Sequence, residues 1–89
     1  MIKAQDEVRH FVINSEESVV TATYNAKNIA AALGFNTVMQ AMFATSISEL
    51  ATNIVKYAKK GHIIIGVVHL DSQVGLEAIA EDQGPGIID

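Results

Sequence analysis

The hydrophobic pattern of the sequence changes abruptly at Gly61. Before this glycine, residues 36–60 carry apolar side chains at helical spacing, which predicts a long helix that begins at Asn36 and is closed by lysines and Gly61. After it, HIIIGVVHL is rich in β-branched residues and predicts a strand that is apolar on both faces and lies inside a sheet. The sequence DSQ then connects this strand to VGLEAIAE, so we predict an antiparallel hairpin.

Two more elements are predicted before the long helix. Residues 7–14, EVRHFVIN, alternate as a strand does. One predicted face of this strand carries Val8, His10 and Val12, and the other carries Phe11 and Ile13. Ser15 and two glutamates indicate a helix over residues 16–33 with Gly34 as its C-cap, although VVTATY within it favours a strand by composition. The predicted order is strand, helix, helix, strand, strand, an α+β fold.

Composition limits the classes of function. The chain has 89 residues, 49% of them hydrophobic and 18% charged, which is typical of one packed domain. Its net charge of −4 argues against binding to nucleic acid or to an anionic membrane, because both are bound mainly by neutralising phosphates. No cysteine is present, which excludes disulfides, and the sequence has neither a signal-peptide core nor a membrane span. A cytoplasmic protein is expected.

Three polar residues of the long helix have a spacing that is compatible with a binding or catalytic site. Glu49, Asn53 and Lys56 stand at i, i+4 and i+7, which places them in one stripe of an α-helix. A carboxylate, an amide and an ammonium in a row suit a phosphoryl ligand and its magnesium ion. The same stripe is also common on solvated helix faces, so the motif alone leaves both interpretations open. A different face, with Phe43, Ile47, Leu50 and Ile54, is expected to pack on the sheet.

The last residues, EDQGPGIID, form a second motif. Asp82 at the predicted strand end could accept a hydrogen bond from a base, and glycines allow close approach of the backbone to a ligand. An acid followed by Gly-Pro-Gly is also an ordinary way to end a strand. This motif alone therefore does not separate a binding loop from a turn.

Taken together, Glu-x-x-x-Asn-x-x-Lys on a helix, two strands and Asp-x-Gly-x-Gly resemble the N-box and G1 box of the GHKL ATPase/kinase superfamily. ISELATNIVKYAKKG and EDQGPGIID are most similar to these boxes in the anti-sigma-factor serine/threonine kinases of the RsbT type, also called switch kinases. The resemblance covers essentially the whole chain. It implies a GHKL-like two-layer α/β sandwich, with a mixed, mostly antiparallel sheet and helices on one face, as a single domain over residues 1–89.

The resemblance also implies roles for individual residues. Glu49 matches the N-box acid, the candidate general base, and Asn53 matches the asparagine that binds Mg²⁺. Lys56 matches a basic position that faces phosphate, and Asp82 matches the aspartate that binds the adenine amino group of ATP. The glycines that shape the floor of the adenine pocket are matched by Gly84 and Gly86. The family pattern continues into a lid, a second glycine-rich box and a final strand, which are expected beyond these 89 residues, so the domain is expected to be truncated after the G1 box.

The function implied is that of an ATP-dependent protein serine/threonine kinase that phosphorylates a STAS-domain regulatory protein in a stressosome or partner-switching pathway. Its expected partners are a STAS-domain substrate and scaffold and a downstream phosphatase, cyclase or sigma-factor regulator. One alternative is a non-catalytic interaction module of the same fold that binds STAS or downstream signalling partners. The other is an unrelated small α/β domain whose motifs match by chance.

Histidine and methionine side chains are expected to be structural. His10, His62 and His69 show no metal-ligand spacing, and the last two should lie on opposite faces of one strand. Met39 and Met42 are expected in the core.

Overall fold

The computed structural model describes residues 8–82. The elements are β1 (Val8–Ile13), α1 (Glu16–Ala32), α2 (Thr37–Asn53), a π-helical turn (Ile54–Ala58), β2 (Gly61–Leu70) and β3 (Gln73–Asp82). This order confirms the predicted α+β fold class. Neither helix in the described part of the chain is long and apolar enough to cross a membrane.

The strands form one antiparallel sheet in the order β1-β2-β3. Strand β2 lies in the centre, as its two apolar faces predicted. Strands β2 and β3 form the predicted hairpin, in which Leu70 pairs with Gln73 across a turn whose first residue, Asp71, has a φ of 56°. Aspartate is among the residues that tolerate this left-handed conformation, so a tight turn forms here without glycine.

Local signals set both ends of α1. The Ser15 side chain accepts a hydrogen bond from the backbone N–H of Ser18, and the Ser18 hydroxyl accepts one from the backbone N–H of Ser15, which completes a capping box. At the other end Gly34 has a φ of 89°, and the next residue donates its N–H to the Ala30 carbonyl. This is the Schellman motif, so the predicted helix and its terminating glycine are confirmed.

Helix α2 begins as predicted but ends differently. The Asn36 side chain accepts a hydrogen bond of 2.8 Å from the Met39 N–H. The α-helix ends at Asn53, a π-helical turn follows, and Lys59 leaves it with a φ of 76°. Gly61 was predicted to close the helix, but it is the first residue of β2. The left-handed backbone position falls on a lysine because Gly61 is needed inside the sheet, as described below.

The helices cover one face of the sheet, and the core lies between the two layers. Its fully buried large side chains come from β1, α2 and β2: Ile13, Ile47, Ile63 and Ile65. Phe43 and Leu50 pack against this core, which confirms the apolar face predicted for α2. The prediction that the methionines are core residues is wrong, since Met39 is 47% and Met42 61% exposed. Met39 lines a groove with Phe43 of α2 and Leu76 of β3, at the margin of the core.

The opposite face of the sheet has no helix against it within residues 8–82. Strand alternation places Val8, His10 and Val12 there and Phe11 and Ile13 under the helices, which confirms the predicted division of these residues between two faces. We call this uncovered surface the open face of the sheet. Its members on β2 and β3 follow from the strand register: His62, Ile64, Val68, Glu77, Ile79 and Glu81.

Candidate functional site

Glu49 and Asn53 lie one helical turn apart at the end of α2. Both side chains are exposed, and neither takes part in a hydrogen bond or ion pair among residues 8–82. Their spacing of four residues is within a regular α-helix, so the two side chains project from the same face. The carboxylate and amide oxygens are therefore available to a ligand at this end of the helix.

Lys56 lies beyond the regular helix, in the π-helical turn. Glu49, Asn53 and Lys56 were expected to form one stripe, which requires α-helical spacing throughout. The structure has this spacing from Glu49 to Asn53. It does not extend to Lys56, because a π-helical turn has more residues per turn. The Lys56 ammonium lies 5.4 Å from the centroid of the Tyr57 ring. Its side chain also lines a shallow groove between α1 and the end of α2, with Glu16, Val19, Val20, Thr52 and Val55. The lysine thus lies near the other two residues in sequence, with a different orientation.

Gly61 joins the end of α2 to the end of β3. It is buried and pairs with Asp82 across the β2–β3 ladder. A Cβ atom at Gly61 would overlap the Glu81 carbonyl oxygen, and would lie 2.9 Å from the Asp82 Cα and 3.0 Å from a methyl group of Ile54. Only glycine permits this approach. Ile54, which follows Asn53, is thereby held against Gly61, which pairs with Asp82.

Asp82 is exposed at the last position of β3. The register places it on the same face as Ala78 and Ala80, which is the face that the helices cover. The end of α2, with Glu49 and Asn53, and the end of β3, with Asp82, therefore lie at the same end of the two-layer fold, on one side of the sheet. Gly84 and Gly86, the other predicted residues of the G1 box, lie outside the described residues.

The chemical capacity of this site follows from its donor atoms. Exposed carboxylates and amide oxygens can bind a hard cation, accept a proton or accept a hydrogen bond from an amine. Within residues 8–82, no three His, Asp or Glu side chains are grouped closely enough to hold a metal ion. Magnesium does not need such a cage, because it keeps several waters and usually takes only one or two protein oxygens together with phosphate. The oxygens present fit a magnesium ion that arrives with a nucleotide.

The sheet also brings together two histidines that sequence spacing did not connect. His10 Nε2 lies 2.8 Å from His62 Nδ1, although the residues are 52 positions apart. Strand alternation placed each of them on a face, but only the β1–β2 register, which pairs Val12 with His62, makes them neighbours. The predicted separation of His62 from His69 is confirmed, since the two lie on opposite faces of β2.

Comparison with known proteins identifies a relative. No family model matches the chain, and no solved structure matches it. The chain is similar to "Serine/threonine-protein kinase RsbT" of Bacillus subtilis (strain 168), with 52% identity over 77 residues. The match covers 86% of this chain and 58% of the kinase, so the chain spans less than two thirds of the relative's length. By sequence, the chain is similar to a serine/threonine-protein kinase over most of its own length.

Proposed function

We propose that this chain carries the adenine-binding and catalytic residues of an ATP-dependent serine/threonine kinase. The proposal is supported by the name of the relative, a serine/threonine-protein kinase, at 52% identity. The structural observation that carries it is the close approach at Gly61, which holds the end of α2 against the end of β3. A kinase needs its phosphate-handling and base-recognising groups at a constant separation, because positioning supplies much of the catalysis of phosphoryl transfer.

Each residue has a role that its chemistry permits. Glu49 accepts the proton of the substrate hydroxyl, since its carboxylate is exposed and engaged by no other described residue. Asn53 offers its amide oxygen to magnesium, and Lys56 neutralises phosphate charge. Asp82 accepts a hydrogen bond from the adenine amino group, and Gly84 and Gly86 border the same pocket. The nucleotide with its magnesium supplies the transferable phosphoryl group and offsets its charge.

Lys56 is the member of this set whose position depends on the π-helical turn. A regular helix would place Lys56 in the stripe of Glu49 and Asn53, whereas in the structure its side chain lines the groove beside Glu16. The long lysine side chain has several rotatable bonds, so it can still reach a phosphate at the helix end. We propose that it does so when the nucleotide is present.

The proposed substrate is a serine or threonine hydroxyl on a STAS-domain regulatory protein, in a partner-switching or stressosome pathway of the cytoplasm. A downstream phosphatase, cyclase or sigma-factor regulator is the second class of partner that we propose. Support for these assignments comes from the sequence similarity to a serine/threonine-protein kinase and from the resemblance of the two motifs to the N-box and G1 box. The exposed residues Glu49 and Asn53 leave the end of α2 open to a protein substrate.

Nucleotide binding is the first test. Calorimetric titration of Mg-ADP and Mg-ATP into the chain should show saturable binding, and Asp82→Asn should weaken it at least tenfold. Asp71→Asn is the matched control, because Asp71 is an exposed aspartate in the hairpin turn at the opposite end of the same strands. Equal binding by the native chain and by Asp82→Asn would refute the adenine role of Asp82. Absence of binding by the native chain would contradict the proposal.

Phosphoryl transfer is the second test. Candidate STAS-domain proteins incubated with the chain and labelled ATP should acquire label on serine or threonine. Glu49→Gln should abolish transfer and leave nucleotide binding intact, whereas Glu17→Gln, an exposed glutamate of α1, should change neither. Partner binding that ignores nucleotide and survives Asn53→Ala and Asp82→Asn, with no transfer, would instead establish the non-catalytic interaction module.

A further inference from the structure

The histidine pair on the open face of the sheet is not used by the proposed kinase site. His10 belongs to β1 and His62 to β2, and their ring centroids are 4.7 Å apart with planes inclined at 52°. His10 is exposed and His62 is half-buried, so solvent reaches the pair. Both side chains point away from the helices, and therefore away from the face on which Asp82 lies.

We propose that His10 and His62 form a binding site for a divalent transition-metal ion such as Zn²⁺, Ni²⁺ or Cu²⁺. The 2.8 Å between Nε2 and Nδ1 means that one nitrogen donates a proton and the other offers its lone pair. Two imidazole nitrogens bound tetrahedrally to zinc at about 2.0–2.1 Å are separated by about 3.3 Å. For a metal ion to take the place of the shared proton, the nitrogens have to move apart by about 0.5 Å and the rings have to turn until both lone pairs point at the ion.

The proton balance of this exchange is simple. In the free protein one ring carries its N–H between the two histidines. When the metal binds, that ring moves its proton to its other nitrogen and presents a lone pair to the metal, so two neutral imidazoles become ligands without net release of a proton. Neutral imidazole is a common ligand for these metals, whereas magnesium prefers oxygen ligands.

The charges around the pair favour a cation. Glu81 lies on the open face and pairs directly with His62 across the β2–β3 ladder. Arg9 lies on the other face of β1 and bonds to Asn25 of α1. No third His, Asp or Glu within residues 8–82 is placed to complete a metal site, so waters fill the remaining positions. The site is therefore open and reversible, and the affinity should follow the order Cu²⁺ above Ni²⁺ and Zn²⁺.

Metal binding would connect β1 to the centre of the sheet. Strand β1 is an edge strand, paired only with β2 among the described strands. An ion held by both strands in the folded state and not in the unfolded state stabilises the fold by an amount that grows with the logarithm of the free metal concentration once this exceeds the Kd. The chain should thus melt at a higher temperature with metal than without.

The test is a calorimetric titration of ZnCl₂, and separately of NiCl₂, into the chain free of any polyhistidine tag. Native protein should bind one ion per chain, and His10→Gln and His62→Gln should each lower the affinity at least tenfold. His69→Gln is the matched control, because His69 lies on the same strand and the opposite face. An excess of MgCl₂ should not compete, which keeps this outcome separate from that of the kinase proposal.

NMR and thermal denaturation of the native protein test the same site without requiring that the substituted variants fold. Zinc should shift the ring ¹H and ¹⁵N resonances of His10 and His62, leave those of His69 in place and raise the melting temperature. The proposal would be overturned by absence of saturable binding, by native affinity in either His10→Gln or His62→Gln, or by an equal loss of affinity in His69→Gln.

Discussion

The substitution Gly61→Ala is the most direct test of the close approach between the end of α2 and the end of β3. The glycine is buried at the start of β2, where an added Cβ would overlap the Glu81 carbonyl oxygen and lie 2.9 Å from the Asp82 Cα. The Glu81 oxygen and the Asp82 Cα are both backbone atoms of β3, which cannot rotate away as a flexible side chain can. Gly61→Ala therefore has to push β3 away from β2, or shift the end of α2 through Ile54.

The size of the effect follows from two opposing terms. Overpacking of a buried site costs about 1–3 kcal/mol, and contact with backbone places Gly61→Ala near the upper end. Alanine also restricts the unfolded chain, which returns about 0.4–1 kcal/mol. The net loss in free energy of unfolding is about 2 kcal/mol, equivalent to a fall in Tm of about 8–16 °C for a chain of this size.

Thermal and urea denaturation followed by circular dichroism would measure this loss. Gly75→Ala is the matched control, because the added Cβ would lie 3.4 Å from a Val68 methyl group, an ordinary contact. That variant should stay within about 0.5 kcal/mol of the native chain. Equal stability of Gly61→Ala and the native chain would refute the close approach. It would also refute the conclusion that the end of α2, where Asn53 lies, is held against the end of β3, where Asp82 lies.

Three further substitutions test the core and the helix ends by the same denaturation experiments. Ile47→Ala removes a side chain that is 0% exposed and should cost about 2–5 kcal/mol, whereas Val38→Ala, at 64% exposed, should cost less than about 0.5 kcal/mol. Ser15→Ala removes the side-chain cap of α1 and should cost about 1 kcal/mol, and a loss below about 0.2 kcal/mol would contradict the capping box. Lys59→Gly relieves a φ of 76° and should raise stability by about 1 kcal/mol, so a lower Tm for this variant would show that the lysine is not strained.

Local signals in the sequence were sufficient for most of the secondary structure. Ser15 and Asn36 each bond to a backbone N–H three residues later, so the information needed to begin a helix lies within one turn. The signal that ends α1 is also local. The hydrogen bonds that close the helix require a positive φ at the next residue, Gly34, and glycine adopts it without strain. Alternation predicted the two faces of β1, because side chains of a strand point to opposite sides whatever lies beyond them.

The candidate site was predictable in part. The four-residue spacing of Glu49 and Asn53 guarantees a shared face in any α-helix, and the structure has that helix. Lys56 could not be placed by spacing, because the helix widens into a π-turn after Asn53. The chemical roles of Glu49, Asn53, Lys56 and Asp82 remain proposals for the experiments above.

The starts of the helices, the strand residues that share a face and the buried side of α2 could all be predicted from sequence, since each of these depends on neighbours within a few positions. Contacts between distant residues could not. The tertiary structure exposes Met39 and Met42, gives Gly61 to the sheet instead of to a helix end, and brings His10 within 2.8 Å of His62. These outcomes depend on strand register and on the approach of one backbone to another, which only the packing of the whole chain determines.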